Sequence, residues 1–168
     1  MKLTSVVLQV AGFVLAHGAN SATELDEDER LIPFGMAVVK GNQNLIRIDS
    51  GSETEEIANC KNKLESQKLL SEACAVIYQS TKTSKSGDSS YIYNVAAWER
   101  GMDVDFRLVQ IFQPSAKGEM IKIVGEPLLF VNDEIVTDQS AMPLLGFVFS
   151  GLTQHPGGKL WDEWNSKT

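Results

Sequence analysis

The chain has 168 residues, of which 43% are hydrophobic and 22% are charged, and its formal net charge at pH 7 is −7. This composition is typical of a folded globular protein and excludes a disordered or fibrous one. It also argues against nucleic acid as a partner, because a phosphate backbone is bound by clustered Lys and Arg, and the sequence contains no basic run. The acidity favours a cationic protein as partner, beside its general effect on solubility.

The first eighteen residues have the layout of a secretory signal peptide. Lys2 precedes an apolar stretch from Val6 to Ala16, and the small residues Gly18 and Ala19 follow. The stretch is about eleven residues long, whereas a membrane-spanning helix needs roughly 20. We therefore predict that residues 1–18 are a cleaved signal peptide, that the mature chain has no transmembrane segment, and that the protein is secreted or periplasmic.

Residues 19–30 are predicted to form an acidic flexible tail. Five acids lie between Glu24 and Glu29, and the segment offers almost no apolar side chains to a core. The rest of the chain, residues 31–168, has the usual size for one domain with one core.

Two strands and a helix are expected next. Residues 34–39 and 45–48 are apolar segments on either side of a turn-prone Lys-Gly-Asn sequence, which predicts a β-hairpin. Ser52 followed by Glu55 is a capping box, the sequence signature of a helix start. The helix then carries one apolar stripe at spacings of three and four residues, formed by Ile57, Cys60 and Leu64.

The middle of the chain predicts an antiparallel meander. Four strand-like segments at residues 74–81, 91–98, 104–113 and 120–124 are separated by polar or Gly-containing breaks of a length that suits tight turns. A last hairpin is expected within residues 127–136, with its turn at Asn132 and Asp133.

The C-terminal part predicts a hydrophobic helix at residues 140–152, with Pro143 in its first turn. Trp161 and Trp164 are expected to lock the end of the chain onto the core. The predicted fold is therefore a single α+β domain: an antiparallel sheet, an early amphipathic helix packed across it, and a hydrophobic C-terminal helix.

The two cysteines, Cys60 and Cys74, are predicted to form a disulfide, because an exported chain folds where thiols oxidise. One straight helix through both would hold them ~21 Å apart, far beyond the ~6 Å that a disulfide permits between Cα atoms. The helix must therefore end between them, or the thiols stay free.

Catalytic chemistry has weak support in the sequence. His155 is the one histidine outside the predicted leader, so any histidine-based hydrolysis depends on it, with Ser150 and Asp162 as conceivable companions. The acids of two turn regions are the candidates for a carboxylate pair: Asp133 with Glu134, and Asp103 with Asp105. No calcium loop, phosphate-binding loop or metal-ligand pattern occurs in the sequence, so we expect no cofactor and no metal.

The best candidate for a binding surface is a hydroxyl-rich loop at the expected tip of a hairpin. Its residues are Ser86, Gly87, Asp88, Ser89, Ser90 and Tyr91. Export, acidity and the lack of catalytic groups together favour a non-enzymatic binding protein (an inhibitor, immunity-type or adaptor module) that acts on another protein. The alternatives are a small secreted hydrolase that uses His155 or a carboxylate pair, and an envelope component whose 140–152 helix lies at a membrane surface.

Overall fold

A computed structural model describes residues 3–25, 29–87, 89–113 and 122–162. These residues form three α-helices and seven strands in one α+β domain. The elements in chain order are α1 (Ser5–Ala22), β1 (Phe34–Val39), β2 (Asn42–Arg47), α2 (Glu53–Gln67), β3 (Ala73–Thr83), β4 (Ser89–Glu99), β5 (Phe106–Gln113), β6 (Lys122–Val131), β7 (Glu134–Ile135) and α3 (Ala141–Gln154), with short 3₁₀ helices at Asp138–Ser140 and Pro156–Leu160.

All seven strands join one antiparallel sheet in the order β2-β1-β3-β4-β5-β6-β7. The predicted α+β fold is confirmed, including the first hairpin, the capped helix, the meander and the hydrophobic C-terminal helix. Ser52 Oγ accepts a hydrogen bond from the Glu55 backbone N–H at 3.2 Å, as a capping box requires. The turn at Asn132 and Asp133 is also confirmed, since both residues have positive φ between β6 and β7.

One part of the meander differs from the prediction. The segments at residues 120–124 and 127–131 are not two strands, because the described part of this region is the single strand β6. A register shift between Val109 and Ile111 of β5 lets β6 continue through Gly125, whose φ of +72° suits glycine. Residues 120 and 121 lie outside the described residues.

The helix α1 covers one face of the sheet, which we call the inner face. It packs against β3 and β4 and is in turn covered by α3. Its large aliphatic side chains are almost fully buried: Val7, Leu8, Val10, Val14 and Leu15. Burying one such side chain contributes about 1.5–3 kcal/mol, so the five together match the whole net stability of an ordinary domain, about 5–15 kcal/mol.

The packing of α1 on α3 depends on two glycines. A Cβ on Gly12 would collide with the backbone oxygen of Val148, and a Cβ on Gly151 would collide with the backbone oxygen of Gln9. Only glycine allows the two helix backbones to approach this closely. The two helices therefore pack closely against each other at Gly12 and at Gly151.

The structure thus places the predicted leader and part of the predicted tail inside the fold. Residues 19–22 are the last turn of α1, and Ala19 is fully buried. Arg30 is held too, because its guanidinium donates to Glu56 Oε1 at 2.9 Å and to the Gln79 carbonyl at 3.1 Å. The tail expected over residues 19–30 is therefore wrong at both ends, and residues 26–28 lie outside the described residues.

The opposite face of the sheet, the outer face, carries α2. This helix packs mainly on β3, where Ile57, Cys60 and Leu64 meet Val76 and Tyr78. The predicted apolar stripe is confirmed as the buried side of α2.

At the C-terminal end, Trp161 is buried against Phe112 of the inner face, as predicted, and Trp164 lies outside the described residues.

The close approach of α1 and α3 predicts opposite effects for two glycine substitutions in α3. Gly151→Ala should lower the free energy of unfolding by about 1–3 kcal/mol, because the new methyl group collides with the backbone of α1. Gly146→Ala is the matched control: nothing lies near its added Cβ, so the better helix former should raise stability by about 0.5–1 kcal/mol. Urea unfolding of both variants measures this. Equal effects of the two substitutions would show that α1 is not packed on α3.

Candidate functional site

A cleft of about 570 Å³ opens on the outer face between α2 and the strands β4, β5 and β6. It exists because α2 covers β3 and leaves the neighbouring strands without a helix above them. We call it the α2 cleft. Its lining residues are Lys61, Leu64, Glu65, Lys68, Tyr78, Ala96, Ala97, Trp98, Val104, Asp105, Phe106, Arg107, Phe130 and Asp133.

Strand register brings the key residues of the cleft together. Ala96 of β4 lies opposite Arg107 of β5, and Arg107 lies opposite Phe130 of β6, so all three share the outer face. Phe130 and Trp98 are half-buried, and Tyr78 is buried beside them. Burial raises the pKa of Tyr78, so its hydroxyl stays protonated at neutral pH. The cleft therefore has aromatic walls around one guanidinium.

Arg107 is held in place from two directions. Its Nη1–H donates to Asn94 Oδ1 at 3.1 Å, and its guanidinium carbon lies 4.8 Å from the centre of the Phe130 ring, a cation–π contact. Asn94 is itself fixed, because its amide nitrogen donates to Ser80 Oγ at 3.0 Å. The guanidinium is thus positioned before any ligand arrives.

The acids of the cleft lie at its rim. Asp133 Oδ1 is 3.7 Å from Arg107 Nη2, and the Asp133 side chain is 92% exposed. Asp105 is exposed as well, and its backbone N–H donates to Asn132 Oδ1 at 2.9 Å, which ties the start of β5 to the β6–β7 turn. An ion pair as exposed as that of Arg107 and Asp133 is weak. A ligand group that accepts hydrogen bonds from Arg107 can therefore displace Asp133.

The predicted binding loop lies at the tip of the β3–β4 hairpin, as expected. Residues 84–87 are exposed, Ser84 Oγ and Ser86 Oγ are 2.8 Å apart, and Gly87 has a φ of +90° that suits a turn. Ser89, Ser90 and Tyr91 begin β4, while Asp88 lies outside the described residues. The loop is not part of the α2 cleft, whose β4 residues are 96–98.

The candidate catalyst His155 is buried and pairs with a second histidine, His17 of α1. Nε2 of His155 and Nδ1 of His17 are 2.9 Å apart, and the Gly157 backbone N–H donates to Nδ1 of His155 at 2.9 Å. The edges of Phe13 and Phe34 complete the surroundings. This pair was not predicted from the sequence, because the predicted leader, residues 1–18, includes His17.

These contacts fix the proton positions of the pair. Nδ1 of His155 accepts a hydrogen bond, so in the neutral ring the proton is on Nε2, which donates to Nδ1 of His17. A second proton on His155 would have to go on Nδ1, where it would face the Gly157 N–H. A second proton on His17 would go on its Nδ1, where it would face the Nε2–H of His155. Burial lowers the pKa of His17, and burial together with the neighbouring His17 lowers the pKa of His155.

The remaining candidates for catalysis are not assembled in the described part of the chain. Ser150 and Asp162 are exposed, and His155 forms hydrogen bonds with His17 and Gly157 instead. Asp103 and Glu134 are exposed as well. Among the described residues, no three His, Cys, Asp or Glu side chains are grouped so that they could hold a metal ion.

The two cysteines are both buried and are not bonded to each other in the structure. Cys60 Sγ lies 3.8 Å from the Ile77 carbonyl oxygen as a weak donor. Burial, with the nearby Glu56 carboxylate, raises the pKa of Cys60 to about 12, and burial raises the pKa of Cys74. Both thiols are therefore protonated at neutral pH in the folded chain.

Comparisons with known proteins give no functional information. No family model matches the chain, and neither the curated proteins nor the solved structures contain a match. The site must be judged on its geometry alone.

The histidine pair predicts a loss of stability in acid. Each ring has a lower pKa in the folded chain than its unfolded value of about 6.5, so the unfolded chain takes up protons first. The contribution to stability is complete above pH ~6.5 and is lost as the pH falls below it toward the folded pKa values.

His17→Gln tests this sign, because glutamine can still accept the hydrogen bond from His155 but does not titrate. Urea midpoints measured at pH 7.5 and pH 5 should fall less for the variant than for the unchanged protein. An equal fall in both proteins would contradict the role of the pair.

Proposed function

We propose that this chain is a non-enzymatic binding protein that acts on another protein, and that a segment of the partner lies in the α2 cleft. The observation that carries the proposal is the cleft itself. Its volume of about 570 Å³ lies in the range of ligand sites, and it combines apolar walls with a few placed polar groups, as such sites do.

The open shape of the cleft favours a chain segment as ligand. Apolar side chains continue along the outer face beyond the cleft, where Leu128 is 37% exposed and Ile92 and Ile111 are half-buried. An extended peptide can place side chains along such a surface. The net charge of −7 adds a long-range attraction for a cationic partner, which salt would weaken.

Hydrolysis by His155 has less support. A general base must reach the proton that it removes, and both ring nitrogens of His155 are engaged by Gly157 and His17. The half-buried His17 and the aromatic rings around the pair are better explained as packing between α1 and the C-terminal segment.

Export is a separate part of the proposal and rests on the composition of residues 1–18. By length and composition α1 could also cross a membrane, a property that signal sequences share with core helices. Because α1 fills the inner face, we propose that the folded protein keeps it and that export does not require the predicted cleavage after residue 18. Exported protein should be recovered from the periplasm or the medium. If Cys60 and Cys74 form a disulfide there, the protein should show no free thiols when it is denatured without a reductant.

The partner site is tested by photo-crosslinking from two neighbouring positions of α2. Lys61 lines the α2 cleft, whereas Lys63 lines a separate depression beside Arg47 and Asp49. With p-benzoylphenylalanine at residue 61, irradiation of native host cells should give a covalent adduct of defined mass, and the same group at residue 63 should not. Adding excess unlabelled protein to a lysate should suppress the adduct.

Two results would contradict the proposal. One is the absence of any adduct from residue 61 in the compartment where the protein is found. The other is equal adduct formation from both positions, which would indicate collisions and not a bound segment.

A further inference from the structure

We infer that Arg107 is the anchor for a carboxylate of the bound ligand, and that the aromatic walls of the α2 cleft hold an apolar group beside that carboxylate. This inference rests on the proposed function and specifies which chemical groups of the ligand the cleft binds. It concerns the one cationic group in the described part of the cleft that is both stacked on an aromatic ring and hydrogen-bonded to a buried amide.

The geometry of the guanidinium leaves room for an acceptor. Arg107 has five N–H donors, and among the described contacts one of them reaches a protein acceptor within hydrogen-bond distance, Asn94 Oδ1. Asn94 is 3% exposed, so the anchored side of the guanidinium is buried. The whole side chain is 34% exposed, so its remaining donors are open toward the cleft.

The lining of the cleft holds three cations and three acids, and their placement favours an anion at Arg107. Lys68 is paired with Glu65 at 2.6 Å, which neutralises that acid. The other two acids, Asp105 and Asp133, are exposed at the rim, and Asp133 is too far from Nη2 for a hydrogen bond. Lys61 adds a second positive charge from α2. A ligand carboxylate can therefore replace Asp133 and bind the guanidinium through two parallel hydrogen bonds.

The aromatic residues that line the α2 cleft determine the apolar part of the ligand. Trp98, Phe130 and Tyr78 line the cleft, and the Phe130 ring lies against the guanidinium. An apolar group beside the carboxylate would contact these rings. Because the proposed partner is a protein, the ligand with this chemistry is the carboxyl terminus of a polypeptide that ends in an apolar residue.

The test compares matched carboxylate and amide probes on the full chain. The probes are N-acetylphenylalanine, N-acetylphenylalaninamide, phenylacetate and a hexapeptide that ends in phenylalanine with a free carboxylate. Dissociation constants come from NMR titration of the tryptophan indole N–H signals. We expect the carboxylate to bind about tenfold more tightly than its amide, the effect of one charge-assisted hydrogen-bonding pair.

Three variants identify the anchor. Arg107→Gln should remove the preference for the carboxylate over the amide, whereas Arg47→Gln, at an exposed arginine of β2 outside the cleft, should leave it unchanged. Asp133→Asn should strengthen carboxylate binding severalfold, because it removes the competing acid, and asparagine tolerates the positive φ of this position. This gain keeps the test valid even where Arg107→Gln weakens the fold.

The outcomes separate this inference from the proposed function. Tighter binding of the hexapeptide than of phenylacetate supports the inference, and equal binding, which would identify a small acid as the ligand, would overturn it. Equal binding of carboxylate and amide, a preference that survives Arg107→Gln, or no binding of any probe would overturn it. The adduct from residue 61 is measured with Arg107 unchanged, so it reports on the partner site whichever group of the ligand Arg107 binds.

Discussion

Burial of α1 between the inner face of the sheet and α3 is the interaction on which the rest of this structure depends. The helix supplies the aliphatic side chains that cover β3 and β4, and it provides one half of the glycine contact that seats α3. It also carries His17, without which His155 would lose its ring partner. Removing it would leave a wide apolar face of the sheet without cover, which monomeric proteins rarely tolerate.

The two faces of the sheet differ in a way that accounts for the candidate site. On the inner face α1 lies over β3 and β4 and is covered by α3, while on the outer face α2 has only 15 residues and lies over β3. The strands β4 to β6 therefore keep a partly open surface. Arg107 and Asn94 are polar residues on this surface, and their bond to each other positions a charge that would otherwise be mobile. A rigid charge in an aromatic cleft is suited to recognition more than to reaction.

Local patterns in the sequence predict most of the fold, and distant contacts account for what they miss. The Ser52–Glu55 pair, the apolar stripe of α2 and the turn at Asn132 are local signals, and each is confirmed. The packing of α1 is not a local property: the same apolar helix suits a leader or a core, and its contacts with α3 join residues far apart in the sequence. The α2 cleft was missed for a similar reason, since Arg107, Asn94 and Phe130 meet through strand register. The predicted binding loop lies at the tip of a hairpin, as the sequence indicates. No local pattern in the sequence predicts the α2 cleft.

The most direct test of this account is the intact mass of the folded protein purified from its native host. If α1 is a structural element of the inner face, the mass should include residues 1–18, apart from removal of the first methionine. A protein that begins near residue 19 and still unfolds in one cooperative transition would contradict the account, because the sheet would then be stable without the helix that covers it.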